Sequence, residues 1–98
     1  MNDFFVVVIL YAKAGQENQL RDDLTAVVDP SRKDEGNLRY ELFEDKNDPR
    51  RFVFVEHWAD PAYQHKHHTE SEHILHFNAN GSSRVEKVEL FYQLNRIA

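Results

Sequence analysis

The sequence predicts an α+β fold in which four strands and two helical regions follow one another as β-α-β-β-α-β. Three observations carry this reading. Apolar residues alternate with period 2 in Leu38-Tyr40-Leu42, Phe52-Phe54 and Val88-Leu90-Tyr92-Leu94, as half-buried strands require. Leu20, Leu24, Val27 and Val28 recur at helical spacing instead. Polar, turn-forming clusters at residues 31–36 and 45–49 separate these runs.

Phe4 to Ala12 is β-branched and aromatic and apolar on both faces, the pattern of a central strand covered on both sides. After Gly15, residues 16–29 form an amphipathic helix with Glu17, Arg21 and Asp22 on its charged side, and Pro30 is expected to end or kink it. A second strand starts at Leu38, with Arg39 and Glu41 opposite its apolar residues. The turn at Asp45-Lys-Asn-Asp-Pro49 leads into an antiparallel third strand, Arg51 to Trp58. Asp60-Pro61 starts a helix, Asp as N-cap and Pro in the first helical position. Thr69-Glu-Ser-Glu72 matches a capping box and marks a second start, so residues 60–80 make two short helices or one broken one, stopped by Gly81. Val85 to Leu94 is the fourth strand. The order is the split βαβ arrangement of the ferredoxin-like fold, one antiparallel sheet with helices on one face. Leu10, Phe43, Val53, Val55 and Phe91 are more apolar surface than two helices hide, so a homodimer with sheets face to face is expected.

Ninety-eight residues fit a single domain, 1–98, of which folding buries roughly 60–70% of the unfolded surface. A formal charge of −5 speaks against nucleic acid or anionic membrane as a partner. Without cysteine there is no disulfide, thiolate catalysis or Cys-type metal site, which fits a reducing compartment. The opening Met1-Asn-Asp-Phe-Phe5 has no basic region or cleavage site, and the apolar run that follows is too short to span a bilayer; we expect a soluble, cytoplasmic protein.

The segment Phe52-Val-Phe-Val-Glu-His-Trp58 points to chemistry. Positions 52, 54, 56 and 58 share one face of a strand, and two Phe mark that face as buried. A carboxylate there, Glu56, is costly unless paired or used, and Trp58 beside it can wall a pocket for a flat ring. Six histidines lie between positions 57 and 76, and pairs such as His65/His68 and His73/His76 have i, i+3 spacing. No HExxH-type motif or acidic cluster frames them, so no metal site is expected. His65 and His76 read as exposed helix residues. A neutral imidazole at His67, His68 or His73 can take a proton near pH 7. Tyr11 and Tyr40 can turn hydroxyls inward, although satisfied packing is the commoner case. Arg50-Arg51 is a solvated hairpin end more readily than a phosphate site, and Asn78 and Asn80 suit a helix cap.

Three sets of residues carry a family resemblance. They are Lys13-Ala-Gly15 with Glu17; Arg32-Lys-Asp-Glu-Gly36-Asn-Leu38-Arg-Tyr40; and Asp48-Pro49 leading to Phe52, Phe54, Glu56-His-Trp58, then His67 or His68, and His73. In this order, over nearly the whole chain, they resemble the antibiotic-biosynthesis monooxygenase domain of the quinol-monooxygenase-like type. The resemblance implies a homodimeric α+β barrel with a pocket between sheet and helices in each subunit. It also implies oxidation of a small aromatic hydroquinone or polyphenol by O₂ without a cofactor. Glu56, His68 and Trp58 are then the catalytic set, Tyr40, His67, His73 and Phe54 contact substrate, and His67 competes with His68 for one position. Haem-degrading relatives combine a Trp and a later His with an Asn on the first strand, and Phe4 to Tyr11 has no Asn. Isomerisation of a small carbonyl compound by the same Glu/His set and non-catalytic ligand binding by a dimeric domain are the alternatives, since fold membership leaves the reaction open.

Overall fold

A computed structural model describes residues 2–98. The elements follow in the expected order: β1 (Phe4–Ala12), α1 (Glu17–Arg32), β2 (Asn37–Asp45), β3 (Asp48–Trp58), α2 (Pro61–Glu70), α3 (Glu72–Asn80), a 3₁₀ turn (Ser82–Arg84) and β4 (Val85–Leu94). The strands form one antiparallel sheet in the order β2-β3-β1-β4, which makes β1 central. This is the ferredoxin-like arrangement, with the helical half of the second unit divided in two.

The pleat sorts the side chains. Phe52, Phe54, Glu56 and Trp58 of β3 point to the helix side and are all buried, joining Val6 and Ala12 of β1, Tyr40 of β2 and Leu20, Leu24 and Val27 of α1. On the other side no helix covers β1. Val7, Ile9, Val53, Val55 and Leu90 are only partly buried there, and Phe43, Tyr92 and Leu94 are exposed.

Several local expectations fail for identifiable reasons. Pro30 does not end α1, which runs to Arg32. Its fixed φ is already helical, and the missing N–H falls in the last turn, where Ser31 Oγ donates to the Val27 carbonyl at 2.6 Å and is itself buried. The Thr69 capping box does not form: Thr69 lies inside α2 and donates to the His65 carbonyl at 2.8 Å, while the extended residue before α3 is Ser71. Leu38 is not on the core face but 58% exposed, because Asn37 lies opposite Trp58 and Arg39 opposite His57, leaving Leu38 as the extra residue of a bulge. In β4, Ile9 faces Leu90 but Leu10 faces Val88, so Glu89 is extra and the expected single face is split. Val88 and Phe91 therefore share the helix side with Leu10 and Val8, whereas Leu90, Tyr92 and Leu94 face away. Leu10 and Phe91, expected on the uncovered face, are thus on the helix side, where Phe91 remains 43% exposed for want of a helix over β4.

Candidate functional site

A cavity of about 430 Å³ lies between the helix side of the sheet and α2 and α3, beside the uncovered part of β4. Its floor is Val8, Tyr40, Phe54 and Glu56; His67, His68 and Ile74 come from the helices, and Val88 and Phe91 from β4. A larger hollow of about 730 Å³ runs between the outer faces of α1 and α3, among Asp22, Asp23, Glu72 and His76. It holds no strand residue, whereas the smaller, mostly apolar cavity is floored by the sheet and includes the buried Glu56, so the smaller one is the candidate site.

Local sequence sets this geometry. Asp60 Oδ1 accepts from Ala62 N at 2.9 Å and Pro61 opens α2, so the helix starts directly after β3. Gln64 and His67, one turn apart, then point inward and are buried, while His65, Lys66 and His68 are exposed. Gly36 has φ +79° and its carbonyl accepts from Ala59 N at 2.8 Å, tying the entry of β2 to the exit of β3. A Cβ at Gly36 would overlap the Tyr63 ring of α2.

Glu56 is the central acid. It is 5% exposed, and burial pushes its pKa from the ordinary 4.5 to about 7, against the opposing pull of one hydrogen bond. That bond is from Trp58 Nε1 to Oε1, at 2.9 Å. Trp58 itself is fully buried and does not line the cavity, so the indole backs Glu56 and does not wall the pocket. The aromatic residues lining the cavity are Phe54 and Phe91 from the sheet, Phe77 from α3, and Tyr40. The Tyr40 ring meets Trp58 edge-on at 6.5 Å, Phe54 at 5.3 Å and His67 at 5.4 Å between centroids. Burial, with the Glu56 carboxylate adding to it, raises the Tyr40 phenol far above its usual range.

The histidines separate clearly. His67 is 4% exposed, its ring 4.8 Å from that of Trp58, and it lines the cavity. Burial pushes its pKa below the ordinary 6.5, against the pull of Asp34. His68 also lines the cavity but from its exposed mouth. His73 does not reach the cavity; its Nε2 is 3.0 Å from Ser31 Oγ and 3.3 Å from Asp34 Oδ2. His57 points to the opposite face, bonded to Asp3 at 2.8 Å and stacked on Phe5 at 4.2 Å. His65 and His76 are exposed.

Tyr11 is away from the site, donating to Asp48 at 2.8 Å beneath the guanidinium groups of Arg50 and Arg51. Those two arginines bond to Ala12 O and Glu86 and to Asp45 and Glu89 respectively, which leaves no anion-binding fork. Asn78 lines the cavity, and Asn80 Nδ2 donates to the His76 carbonyl at 3.0 Å.

Asp34 was not singled out from the sequence. It sits in the connection after α1, and its Oδ2 lies 2.6 Å from His67 Nδ1 and accepts from Ser71 Oγ at 2.8 Å. Nothing local marks it, since its partners lie 33 and 37 residues further on. Asp34, His67 and His73 bring one ligand-type atom each within 4.8 Å of one another, a two-histidine, one-carboxylate set. At 2.6 and 3.3 Å these atoms are spaced as a hydrogen-bonded group, and a metal bound there would have to displace the shared protons. The cavity thus holds, among mostly apolar side chains, a buried carboxyl whose pKa is raised to about 7 and a buried imidazole that burial holds toward its neutral form, two groups placed to exchange a proton with a bound molecule.

Comparison with known proteins gives the family and the fold. The family model for antibiotic biosynthesis monooxygenase matches residues 3–80. Among curated proteins, YcnE of Bacillus subtilis (strain 168), provisionally named a monooxygenase, is 35% identical over 78 residues, which are 78% of this chain and 81% of that protein. Among solved structures, PA3566 from Pseudomonas aeruginosa superposes with a TM-score of 0.91 at 31% identity, covering all of this chain and 97% of that one. Rv0793 from Mycobacterium tuberculosis gives 0.89 at 20% identity, covering 99% and 97%, a likeness of fold.

Proposed function

The chain belongs to the antibiotic biosynthesis monooxygenase family, and from that premise we propose that it is a cofactor-independent monooxygenase of a small aromatic hydroquinone or polyphenol. The observation that carries the reading is Glu56, a carboxyl poised to titrate near pH 7 on the wall of a mostly apolar cavity. Such a group is a base matched to its working pH and otherwise a costly thing to bury.

The chemistry asked of the protein is substrate ionisation. Loss of a proton to Glu56 or His67 leaves an electron-rich anion that can transfer one electron to O₂. Recombination of the radical pair forms a carbon–oxygen bond and, after protonation, a hydroperoxide. Where the oxidised carbon began as a ring CH₂ of the anthrone type, loss of water gives a carbonyl. One oxygen atom enters the product, the other leaves as water, and all four electrons come from the substrate. Phe54 and Phe91 suit a flat ring, and the apolar surroundings keep water from the reactive intermediates.

The uncovered sheet face supports a homodimer. Val7, Ile9, Val53, Val55, Phe43, Tyr92 and Leu94 form a continuous apolar surface of the kind a second sheet buries.

The test is oxygen uptake by chelator-treated, flavin-free protein with a panel of hydroquinones and anthrone-type phenols, alongside Glu56→Gln. Uptake by the wild type that falls at least tenfold in the variant, about 1.4 kcal/mol of transition-state stabilisation, supports the reading. Turnover that proceeds equally without O₂ would move the same acid–base pair to enolisation of a carbonyl compound. Ligand binding without turnover would leave a binding domain.

A further inference from the structure

We propose that Asp34 is a positioning residue for the site: by accepting the Nδ1–H of His67 it fixes the imidazole in the tautomer whose Nε2 presents a lone pair to the cavity. The inference rests on the reading above for what Nε2 then does, but the tautomer itself follows from the hydrogen-bond inventory. An ionised carboxylate only accepts, so the 2.6 Å contact between Asp34 Oδ2 and His67 Nδ1 places the proton on Nδ1. The Ser71 hydroxyl donates to the same oxygen at 2.8 Å. Ser31 has a single hydroxyl proton, and it goes to the Val27 carbonyl at 2.6 Å. Ser31 must therefore accept at 3.0 Å from His73 Nε2–H, the same N–H that approaches Asp34 at 3.3 Å. Three donors thus converge on the Asp34 side of the network, and none of them competes for His67 Nε2.

That nitrogen has no hydrogen-bond partner among the described residues. It is also not a sealed orphan, because the one side-chain atom there that is both buried and unpartnered is Glu17 Oε1. Nε2 accordingly opens on the cavity that His67 lines, where Glu56, Tyr40, Gln64 and His68 are among the other polar residues. The ring cannot easily turn, packed 4.8 Å from Trp58 and 5.4 Å from Tyr40. The backbone of Asp34 is fixed as well: its N–H donates to the Ser31 carbonyl and its carbonyl accepts from Asn37 N–H, both at 3.1 Å. A free imidazole prefers its proton on Nε2, so holding it on Nδ1 is something the protein must do actively, and an aspartate at this contact is a strong way of doing it.

The experiment reads the tautomer directly. Protein labelled with ¹⁵N-histidine gives long-range ¹H–¹⁵N correlations at pH 7.5, with His67 assigned by its loss in His67→Gln. We expect a protonated Nδ1 and an unprotonated Nε2 in the wild type, and reversal to Nε2–H in Asp34→Ala. A wild-type spectrum with the proton on Nε2 overturns the proposal by itself, whether or not the variants fold and whether or not any substrate is turned over. If the protein takes up oxygen, Asp34→Asn, of the same shape but able to donate to Nδ1, should lower kcat at least tenfold with KM changed less than threefold. The double variant with His67→Gln should then be no slower than His67→Gln alone, since Asp34 acts through His67. Losses that multiply in the double variant would overturn the positioning role. Absence of oxygen uptake would sink the proposed function and leave the tautomer assignment to the spectrum.

Discussion

Replacing Glu56 by Gln tests the electrostatics of the site without any knowledge of the substrate. The carboxyl has an ordinary pKa of 4.5 and is pushed to about 7 in the folded protein, mainly by burial. The folded state therefore holds this proton more tightly than the unfolded chain. The resulting stabilisation is complete below pH 4.5 and is lost as pH rises through 7. At 1.36 kcal/mol per pH unit, the difference amounts to about 3 kcal/mol, of which about 2 kcal/mol or somewhat more falls between pH 5 and pH 8. Gln keeps a carbonyl oxygen to accept from Trp58 Nε1 but carries no proton to lose. Its extra N–H groups cost the same at every pH, so they cancel in the comparison. Urea unfolding of both proteins at pH 5 and pH 8, at one fixed protein concentration, gives four stabilities. The wild type should lose about 2 kcal/mol more than the variant over that interval, or roughly 8–16 °C in melting temperature for a domain of this size. Other groups, His67 included, titrate alike in both and drop out. Equal losses would mean that Glu56 is solvated in solution and titrates as an ordinary carboxyl, and the acid–base role built on its burial would go with it.

Further outcomes follow from other contacts. Trp58→Phe removes the indole N–H that favours the ionised form of Glu56, so the acidic limb of the kcat/KM profile should move to higher pH; an unmoved limb would show that the bond does not tune the acid. Gly36→Ala places a Cβ at φ +79° against the Tyr63 ring and should cost about 2–4 kcal/mol in urea unfolding, because strain and overlap act together. Loss under about 0.5 kcal/mol would mean that the β2 entry moves freely away from α2. Val55→Asp puts a charge on the uncovered sheet face, and light scattering at micromolar concentration should show a dimer for the wild type and a monomer for the variant. A wild-type monomer would remove the interface altogether.

The sequence was most legible where periodicity and burial agree. Phe52, Phe54, Glu56 and Trp58 share one buried face as alternation requires, and Asp60-Pro61 begins α2 as its capping chemistry dictates. It misled where one inserted residue changes the phase. The bulges at Leu38 and Glu89 turn neighbouring side chains to the opposite face, and nothing in the hydrophobic pattern announces them. Thr69 shows a different limit, since the capping-box pattern is present but Thr69 stays inside α2, and the extended residue before α3 is Ser71, whose hydroxyl is bonded to Asp34. Within the site, the presence of Glu56 and the histidine cluster could be read, but not which histidine is buried. His67 and His68 differ by one residue, about 100° around the helix, and only the direction in which α2 leaves β3 settles it. The partner of His67 was out of reach because a pairing across 33 residues depends on the whole fold. Trp58, conspicuous as the single indole, suits a cavity wall by its sequence position but is fully buried behind Glu56.

The extended backbone of Ser71 between α2 and α3 divides the upper wall of the cavity into two pieces that can change separately. The first piece carries His67 and its hydrogen bond to Asp34; the second offers Ile74, Phe77 and Asn78 and is anchored through Ser71 and His73. Substitutions in the second piece alter the volume and outline available to a ligand while leaving the proton-bearing groups in place. Descendants of one ancestral chain could thus acquire new ligands by resculpting the cavity-lining positions of α3, Ile74, Phe77 and Asn78, with the acid and the base inherited intact.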